Sequence, residues 1–239
     1  MIPAAITFDF WNTLVTEGPG GLFAPRVVRW AAVLEEAGHP ADRESLERAH
    51  RGALAAYQAA WRRGVQFRSP EATRHALEAL GVACDVNTIR RLERSFTEAG
   101  GWSDVEPVAG ALDAVTRLHG AGVRLGVICD IGLTPSDALE PLLDRLGVRD
   151  RFDALVWSDR IGAYKPDPAM FGYALDRLGV PAGDAWHVGD RRRTDVAGAV
   201  AAGMTAVRFR AVYDDPEDLP DAPIVVGSYE ELLRLAGLS

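Results

Sequence analysis

The stretch from Ala4 to Leu14 reads AAITFDFWNTL and joins a short apolar run to an abrupt change in polarity. Residues 4–8 are apolar apart from one threonine, and this pattern predicts a β-strand that is buried on both faces. Polar chemistry begins at Asp9. A carboxylate held at the end of a buried strand is poorly hydrated, and it is a competent nucleophile when a metal ion balances its charge. Taken alone, Asp9 is equally consistent with a turn residue or a helix cap.

Further along the chain, apolar runs predict five more strands, over Val123–Cys129, Ala154–Trp157, Ala185–Val188, Thr205–Phe209 and Ile224–Val226. Apolar residues at helical spacing predict helices between them, over Ala109–Ala121, Pro135–Leu146, Pro168–Leu178 and Thr194–Ala202. An alternation of strands and helices predicts an α/β fold, with a Rossmann-like, doubly wound parallel sheet and right-handed crossovers.

Acidic residues follow four of the predicted strands, namely Asp9, Asp130, Asp159 and Asp190. Ligands of parallel sheets bind beyond the carboxyl ends of the strands. We therefore expect these four side chains at one edge of the sheet, where they exceed what solubility requires.

Residues 18–103 differ from the rest because they contain no convincing strand. Four helices are predicted there: Leu22–Ala37, Asp42–Arg63 with Asp42 as its N-cap, a helix opened by Ser69 as cap and Pro70, and Asp85–Ala99. Glycines flank the block at positions 18, 20, 21, 100 and 101. We predict a four-helix-type cap at 18–103, inserted into an α/β core of 1–17 and 104–239 through two flexible, hinge-like connections.

The side chains of this inserted module suggest a packed bundle. Its aromatic residues are expected in the bundle core, and they are Trp30, Tyr57, Trp61 and Phe67. Four arginines are expected on solvated helix faces, namely Arg26, Arg29, Arg62 and Arg63. An arginine of the module could recognise an anion, but the sequence does not indicate which one.

A second motif, VGDRRRTD at 188–195, follows the fourth predicted strand. Gly189 permits a tight turn, and a single loop separates Asp190 from Asp195, so both carboxylates can face one point. Magnesium prefers hard oxygen ligands of this kind. The alternative is a capped helix start in which Asp195 favours the helix dipole.

Two further segments carry candidate groups. Lys165 precedes Pro166, which holds the lysine backbone extended, and its ammonium group could pair with Asp9 and bind a substrate anion. A surface turn is the alternative for this segment. At the end of the second strong strand, the small side chain of Cys129 and the backbone amides next to Asp130 could hold a phosphate oxygen. Cys129 could also be a simple core residue.

Composition argues against several classes of function. The 26 Lys plus Arg and 34 Asp plus Glu residues give a formal net charge of −8 with no long basic run, which argues against a nucleic-acid partner. Cys84 and Cys129 are too few for a disulfide framework and are expected as reduced thiols of a cytoplasmic protein. Met1 to Phe10 is unlike a signal peptide, and no apolar run approaches the ~18 residues of a membrane span. Monomer and homodimer both stay open.

Together, the order and spacing of these motifs resemble the haloacid dehalogenase superfamily, and KPDP at 165–168 followed by Phe171 is especially typical. The resemblance covers the whole chain and implies a hydrolase with an inserted helical cap that selects the substrate, most simply a Mg²⁺-dependent phosphatase acting on a small phosphorylated metabolite. The resemblance implies that Asp9 forms the covalent intermediate, that Lys165 orients it, and that Thr13 positions its loop. The implied metal ligands are Asp9, the backbone carbonyl of Trp11, Asp190 and, directly or through water, Asp195.

Three positions depart from the family pattern. Trp11 stands where the phosphatases of the family carry an acid/base Asp, and losing such a group costs about 10²–10⁴-fold in rate. Asn12 replaces a glycine, and Cys129 replaces a serine or threonine, although a thiol is the weaker hydrogen-bond donor. We expect residues 11–13, Cys129 and Asp130 to contact substrate, and Asp130 to be a substitute proton donor.

Three functions are consistent with these departures. The first is a phosphatase with reduced or specialised activity, suited to substrates with good leaving groups such as acyl phosphates. The second is a 2-haloacid dehalogenase-like hydrolase, because those relatives carry an aromatic residue at the position of Trp11 and halide departure needs no acid. The third is a non-catalytic ligand-binding or regulatory protein with the same fold. The joint presence of Asp9, Lys165, Asp190 and Asp195 argues against the third, because buried like charges are costly without a metal.

Overall fold

The computed structural model describes residues 2–18, 21–98 and 105–238, and its central feature is a six-stranded parallel sheet. The strands of the described chain are β1 (Ala5–Phe8), β2 (Val15–Glu17), β3 (Val105–Pro107), β4 (Arg124–Cys129), β5 (Ala154–Trp157), β6 (Ala185–Gly189), β7 (Thr205–Phe209) and β8 (Ile224–Val226). The large sheet has the order β5-β4-β1-β6-β7-β8, and β2 pairs with β3 in a separate two-stranded sheet. The predicted α/β fold with a parallel sheet is confirmed, and each of its six predicted strands is present.

The register of the central strands fixes where Asp9 lies. Phe8, the last residue of β1, is paired with Val127 of β4 on one side and with Val188 of β6 on the other. Asp9 therefore leaves the sheet level with Ile128 and Gly189. Its backbone N–H donates to the carbonyl oxygen of Val188 at 2.8 Å. This places Asp9 between the ends of two neighbouring strands.

The helices of the described chain are α1 (Phe23–Glu36), α2 (Arg43–Arg62), α3 (Ser69–Leu80), α4 (Val86–Glu98), α5 (Ala111–Gly120), α6 (Ser136–Arg145), α7 (Ser158–Ile161), α8 (Pro168–Leu178), α9 (Ala197–Ala201) and α10 (Tyr229–Leu235). The helix expected at Thr194–Ala202 is divided in two. A π-helical turn spans Arg192–Val196, with the N–H of Val196 donating to Arg191 at 3.1 Å, and α9 follows it. The turn lies directly after the acidic loop at Asp190.

Contacts within the described chain divide it into two units. The α/β unit consists of Met1–Thr16, Glu106–Asp130 and Leu142–Ser239, and the helical unit of Glu17–Val105 and Ile131–Pro141. The segment Ile131–Pro141 was assigned to the core in the sequence analysis, but its contacts join it to the helices. The reason is close packing, since a Cβ on Gly132 would lie 3.2 Å from Cζ of Tyr57. The glycines expected as connections at 20, 100 and 101, and Ala99 at the end of the fourth predicted helix, lie outside the described residues.

Helices α1 to α4 build the core of the helical unit around the buried Trp30, and Leu133 packs against the same cluster. Asp42 caps α2 as expected, because its carboxylate accepts the N–H of Ser45 at 2.9 Å. The expectation that Ser69 caps α3 is wrong. Ser69 is already helical, and the carboxylate of Glu71 accepts the N–H of Arg68 at 2.9 Å instead.

The surface prediction for the four arginines holds for three of them and fails for one. Arg29, Arg62 and Arg63 are exposed, whereas Arg26 is 8% exposed. The guanidinium of Arg26 lies over the ring of Phe96, with Cζ 5.2 Å from the ring centroid. Arg26 lies four residues before the buried Trp30, so helical spacing places it on the buried face of α1 in spite of its charge.

Cys84 and Cys129 are both free thiols, as the composition suggested. Within residues 2–18, 21–98 and 105–238, we find no helix with the length and apolarity that crossing a membrane requires.

A close approach between α8 and α9 can be tested by adding one methyl group. A Cβ at Gly198 would lie 2.3 Å from Cε2 of Phe171 and 3.2 Å from the backbone of Pro166, so Gly198→Ala should lower the free energy of unfolding by about 1–3 kcal/mol. Gly172 in α8 has no such neighbour within 4 Å, and Gly172→Ala should stabilise the protein by about 0.5–1 kcal/mol. Urea denaturation of both variants gives the comparison, and a neutral Gly198→Ala would contradict this packing.

Candidate active site

The ammonium group of Lys165 lies among three oxygen atoms at the carboxyl edge of the sheet. Its Nζ donates to Asp9 Oδ1 at 2.6 Å, to Asp195 Oδ1 at 2.6 Å and to the carbonyl oxygen of Ile128 at 2.9 Å. An ammonium group has three hydrogens, so each of them finds an acceptor. Burial opposes the charge of Lys165, but attraction to the two carboxylates outweighs burial and raises its pKa well above the ordinary value. Lys165 is therefore a fixed positive charge beside Asp9.

Lys165 is also the only lysine among the 239 residues, and arginine supplies the other members of the Lys plus Arg total. A compact ammonium can direct three hydrogens to acceptors that converge on one atom, whereas a planar guanidinium is larger and spreads its donors along a fork. The backbone of the lysine is fixed as well, because its N–H donates to Asp130 Oδ1 at 2.8 Å. The single lysine of the chain thus lies at a position where the guanidinium of an arginine would not match the geometry of the acceptors.

Asp195 anchors the lysine, since hydrogen bonds engage both of its carboxylate oxygens. Oδ1 accepts from Lys165 and lies 3.1 Å from Nε2 of His187, and Oδ2 accepts the N–H of Arg191 at 3.0 Å. Burial would raise the pKa of Asp195, but the charge of Lys165 and the contact with His187 overcome burial and hold this pKa below its usual range. A Cβ on Gly189 would lie 2.4 Å from Cγ of Asp195. Only glycine leaves room for this carboxylate at the end of β6.

His187 is buried within β6, and it contacts the site through both of its ring nitrogens. Its Nδ1 lies 2.8 Å from the hydroxyl of Thr7, and its Nε2 faces Asp195. A carboxylate only accepts, so Nε2 carries the proton, and Nδ1 accepts from the Thr7 hydroxyl. Burial lowers the pKa of His187 from its ordinary value, which favours this neutral form. Position 187, two residues before Gly189 on the same face of the strand, was the available signal for this contact.

Asp190 is the carboxylate with the least compensation. The described chain gives it one side-chain donor, the amide Nδ2 of Asn12 at 3.3 Å. Burial, together with the charges of Asp9 and Asp195, raises the pKa of Asp190 to about 8. Burial also raises the pKa of Asp9, to about 6, although Lys165 works in the opposite direction. Asp9 and Asp195 thus share one ammonium group, whereas for Asp190 only the charge of Arg191 and the Asn12 amide oppose the rise of the pKa.

A divalent cation fits this donor set. Asp9, Asp190 and Asp195 each offer a carboxylate oxygen, and these oxygens lie within 4.8 Å of one another. Hard carboxylate oxygens are the ligands that Mg²⁺ prefers, and its charge would balance the carboxylates that Lys165 leaves uncompensated. Asp130 and Asp159, the other two acidic residues expected at this edge, do not belong to that cluster. The metal contact expected of the Trp11 carbonyl stays a prediction.

The loop after Asp9 is held by its backbone. Asn12 has a φ of 58°, a left-handed conformation that asparagine tolerates better than most residues, which explains how it stands in the place of a glycine. Thr13 is buried, and its hydroxyl has no partner among the described residues, but its carbonyl oxygen accepts from the hydroxyl of Tyr229 at 2.7 Å. Tyr229 begins α10, and no pattern near position 229 signals this role. The half-buried Trp11 packs edge-on against Phe10, with ring centroids 5.4 Å apart.

The end of β4 supplies Cys129 and Asp130. Cys129 is fully buried, and burial raises the pKa of its thiol well above the ordinary value, so the thiol is neutral. Its Sγ lies 3.4 Å from the carbonyl oxygen of Asp130. One carboxylate oxygen of Asp130 accepts the N–H of Lys165, as described above. This strand end therefore connects directly to the lysine segment.

A comparison with known families matches this arrangement. A sequence model described as haloacid dehalogenase-like hydrolase matches residues 3–203 of the chain. A glyceraldehyde 3-phosphate phosphatase of Methanocaldococcus jannaschii is 35% identical over 132 residues, which are 55% of this chain and 57% of that protein. The chain spans about half the length of the curated relatives it matches.

Solved structures show the same fold over nearly all of the chain. A phosphatase from Thermococcus onnurineus is 20% identical with a TM-score of 0.66, covering 98% of this chain and 97% of that one. A 2-haloacid dehalogenase from Pseudomonas syringae is 24% identical with a TM-score of 0.68, covering 99% of both chains. At these identities the likeness concerns the fold alone.

The ion pair between Lys165 and Asp195 can be measured by a double-mutant cycle. Lys165→Met should lower the free energy of unfolding by about 3–5 kcal/mol, because two buried carboxylates lose the cation they share. The same change should cost less in an Asp195→Asn background, where one of those carboxylates is neutral. Urea denaturation without Mg²⁺ measures all four proteins.

A matched control comes from a surface pair. Arg124 and Asp153 lie 3.2 Å apart with half-exposed side chains, so Arg124→Met should cost less than about 1 kcal/mol. Equal costs of Lys165→Met in the two backgrounds would contradict the coupling of Lys165 with Asp195.

Proposed function

The chain belongs to the haloacid dehalogenase-like hydrolases, and we propose that it is a Mg²⁺-dependent phosphatase that attacks its substrate with Asp9. The observation that carries this proposal is the contact between Asp9 and Lys165 at 2.6 Å, with two further buried carboxylates beside it. The fixed ammonium favours the ionised form of Asp9 and orients one of its oxygens. The other oxygen is left for attack on phosphorus.

The three carboxylates have different roles in the proposed metal site. Asp9 and Asp190 would hold Mg²⁺, because Asp190 has no cation against it among the hydrogen bonds and ion pairs of the described chain. The oxygens of Asp195 already accept from Lys165, His187 and the Arg191 amide. Asp195 would therefore hold Lys165 in place beside the metal. When bound, Mg²⁺ supplies charge stabilisation to the phosphoryl oxygens during transfer.

The transfer that we propose has two steps. Asp9 attacks phosphorus, an aspartyl phosphate forms, and the bond from phosphorus to the leaving oxygen breaks. Water then attacks the phosphorus of this acyl phosphate, which regenerates Asp9 and releases inorganic phosphate. The leaving oxygen needs a proton unless it is already a stable anion, and the indole of Trp11 cannot provide one.

That requirement limits the substrates. We propose a small phosphorylated metabolite with a good leaving group, such as an acyl phosphate, whose carboxylate departs without a proton. Support for a small phosphate comes from the relative named as a glyceraldehyde 3-phosphate phosphatase. For poorer leaving groups, Asp130 is the proposed proton donor. One of its oxygens is committed to the Lys165 amide, so the other oxygen would have to act.

Dehalogenation is the second candidate, because the aromatic Trp11 next to the nucleophile resembles the pattern of 2-haloacid dehalogenases. The cluster of three buried carboxylates weighs against it, because halide displacement needs no metal. A non-catalytic ligand-binding role is the third candidate.

The nucleophile and the metal are tested together by product release. Aryl phosphate, acetyl phosphate and a 2-haloacid are each incubated with Mg²⁺ and with chelator. We expect phosphate release that requires Mg²⁺ and falls by at least about 10³-fold in Asp9→Asn, because that amide is not a nucleophile. Chelator-resistant halide release would indicate the dehalogenase instead. Ligand binding without any turnover would indicate the third candidate.

Trp11→Asp tests the missing acid directly. Restoring a carboxyl group should raise the turnover of an alkyl phosphate by about 10²-fold or more, and that of acetyl phosphate much less, because only the alkoxide needs a proton. Steady-state kinetics on the two substrates measures the difference, with Trp11→Asn as the control for size and polarity. Equal gains on both substrates would contradict a role of the new carboxyl group as proton donor.

The variant Asp130→Asn in the same assay tests the other proposed proton donor. An unchanged rate and pH profile would exclude Asp130 from proton transfer.

A further inference from the structure

The helical unit contains a buried cation, Arg26, that makes no ion pair within the described residues. Arg26 is 8% exposed, and none of the acidic residues in the described chain lies within ion-pair distance of it. Its guanidinium donates only through Nη2, to the hydroxyl of Thr134 at 2.5 Å and to the carbonyl oxygen of Phe96 at 3.5 Å. Its Nε is enclosed without an acceptor. An arginine offers five N–H donors, so most of them are unused by the described chain.

The surroundings of Arg26 make this arrangement costly. The residue lies in the first turn of the 14-residue helix α1, whose N-terminus is itself electropositive and has neither a side-chain cap nor an acidic residue in its first turn. Burial lowers the pKa of Arg26 to about 10, and the distant Glu17 offsets this only in part. Removing a charge from water without a partner costs several kcal/mol. An anion would remove much of that cost.

Thr134 adds a second donor at the same place. Its hydroxyl oxygen accepts from Arg26, and its own hydrogen has no acceptor within the described part of the chain. Thr134 belongs to Ile131–Pro141, the segment that packs with the helices, so both groups lie within the helical unit. The face of Phe96 supports the guanidinium from the other side, at 5.2 Å. A guanidinium and an adjacent hydroxyl are both donors, and together they suit the oxygen atoms of a carboxylate or a phosphate.

We propose that Arg26 and Thr134 form a binding site for a carboxylate or phosphate group within the helical unit. The group would come either from a second anionic end of the substrate or from a separate small anion that acts as an effector. If the substrate supplies the anionic group, the inference rests on the proposed function. Anion binding at Arg26 does not depend on that function. The described chain offers Arg29 as a matched comparison, because it lies one turn away on α1, is exposed and pairs with Glu98.

Anion binding is measured first, without activity. Unfolding temperatures are recorded in inorganic phosphate and in malonate against chloride, at constant ionic strength and without Mg²⁺, for the wild type, Arg26→Gln, Arg26→Met and Arg29→Gln. We expect both anions to stabilise the wild type and Arg29→Gln and to have no effect on the Arg26 variants. In chloride alone, Arg26→Met should unfold at the wild-type temperature or above it, because it removes an uncompensated charge.

Two outcomes would contradict the proposed anion site. One is a wild-type protein that phosphate and malonate do not stabilise. The other is an Arg26→Gln protein that retains the stabilisation. If an Arg26 variant fails to fold, Thr134→Val carries the same test, because it removes the hydroxyl and keeps the guanidinium; it should weaken anion binding, and unchanged binding would exclude Thr134 from the site.

The source of the anion is then decided by kinetics. A phosphorylated hydroxy acid is compared with the phosphorylated alcohol of the same length, with and without free malonate. If the substrate supplies the group, Arg26→Gln should raise KM for the acid about 10- to 100-fold and leave the alcohol unchanged. If an effector supplies it, malonate should change the wild-type rate on both substrates and lose that effect in Arg26→Gln. Absence of phosphate release from any substrate would defeat the proposed function, while the binding measurement would still decide the site.

Discussion

Charge balance around Lys165 is the constraint on which the rest of the site depends. The ammonium group at this position contacts Asp9 and Asp195 at 2.6 Å, and the carboxylate of Asp190 lies beside those two. Asp195 is the stabilised partner, Asp9 shares the cation, and Asp190 is left with a pKa raised to about 8 by burial and by its neighbours. Repulsion between these buried carboxylates destabilises the centre unless a further cation binds there. The count of buried charges and their distances therefore supports the proposed divalent metal, before any reaction is considered.

Local features at the ends of the strands position these charged groups. Parallel pairing of β1 with β4 and β6 brings Asp9 level with Ile128 and Gly189, so that a lysine can bond to Asp9 and to the Ile128 carbonyl at once. The missing side chain of Gly189 makes room for Asp195, and the π-helical turn aims that carboxylate back over β6. A one-residue shift in register would separate these groups, because neighbouring residues of a strand point to opposite faces.

Sequence patterns sufficed for the strands and for the residues next to them. The apolar runs of the parallel sheet are long enough to be recognised, Asp9 and Asp190 lie where two of those runs stop, and Asp195 follows in the next turn. The prediction failed where tertiary neighbours decide the outcome. Arg26 lies on the buried face of α1, four residues before Trp30, but its charge favoured a surface position. The residues that enclose it, Phe96 and Thr134, are 70 and 108 positions away. Tyr229 and the three-residue strands β2 and β3 carry no local pattern that distinguishes them from loops.

Lys165 and Arg26 are both buried cations, and the difference between them is informative. Lys165 has its counter-charges built into the chain, so its burial is compensated whether or not a ligand is bound. Within the described residues, Arg26 bonds to a hydroxyl and a carbonyl group and makes no ion pair, so an anion from outside would compensate its burial further. Any ligand that binds the folded chain and not the unfolded one adds to stability in proportion to its affinity. The helical unit is then at its least stable when empty, and the free energy of its folding is coupled to the anion that it binds.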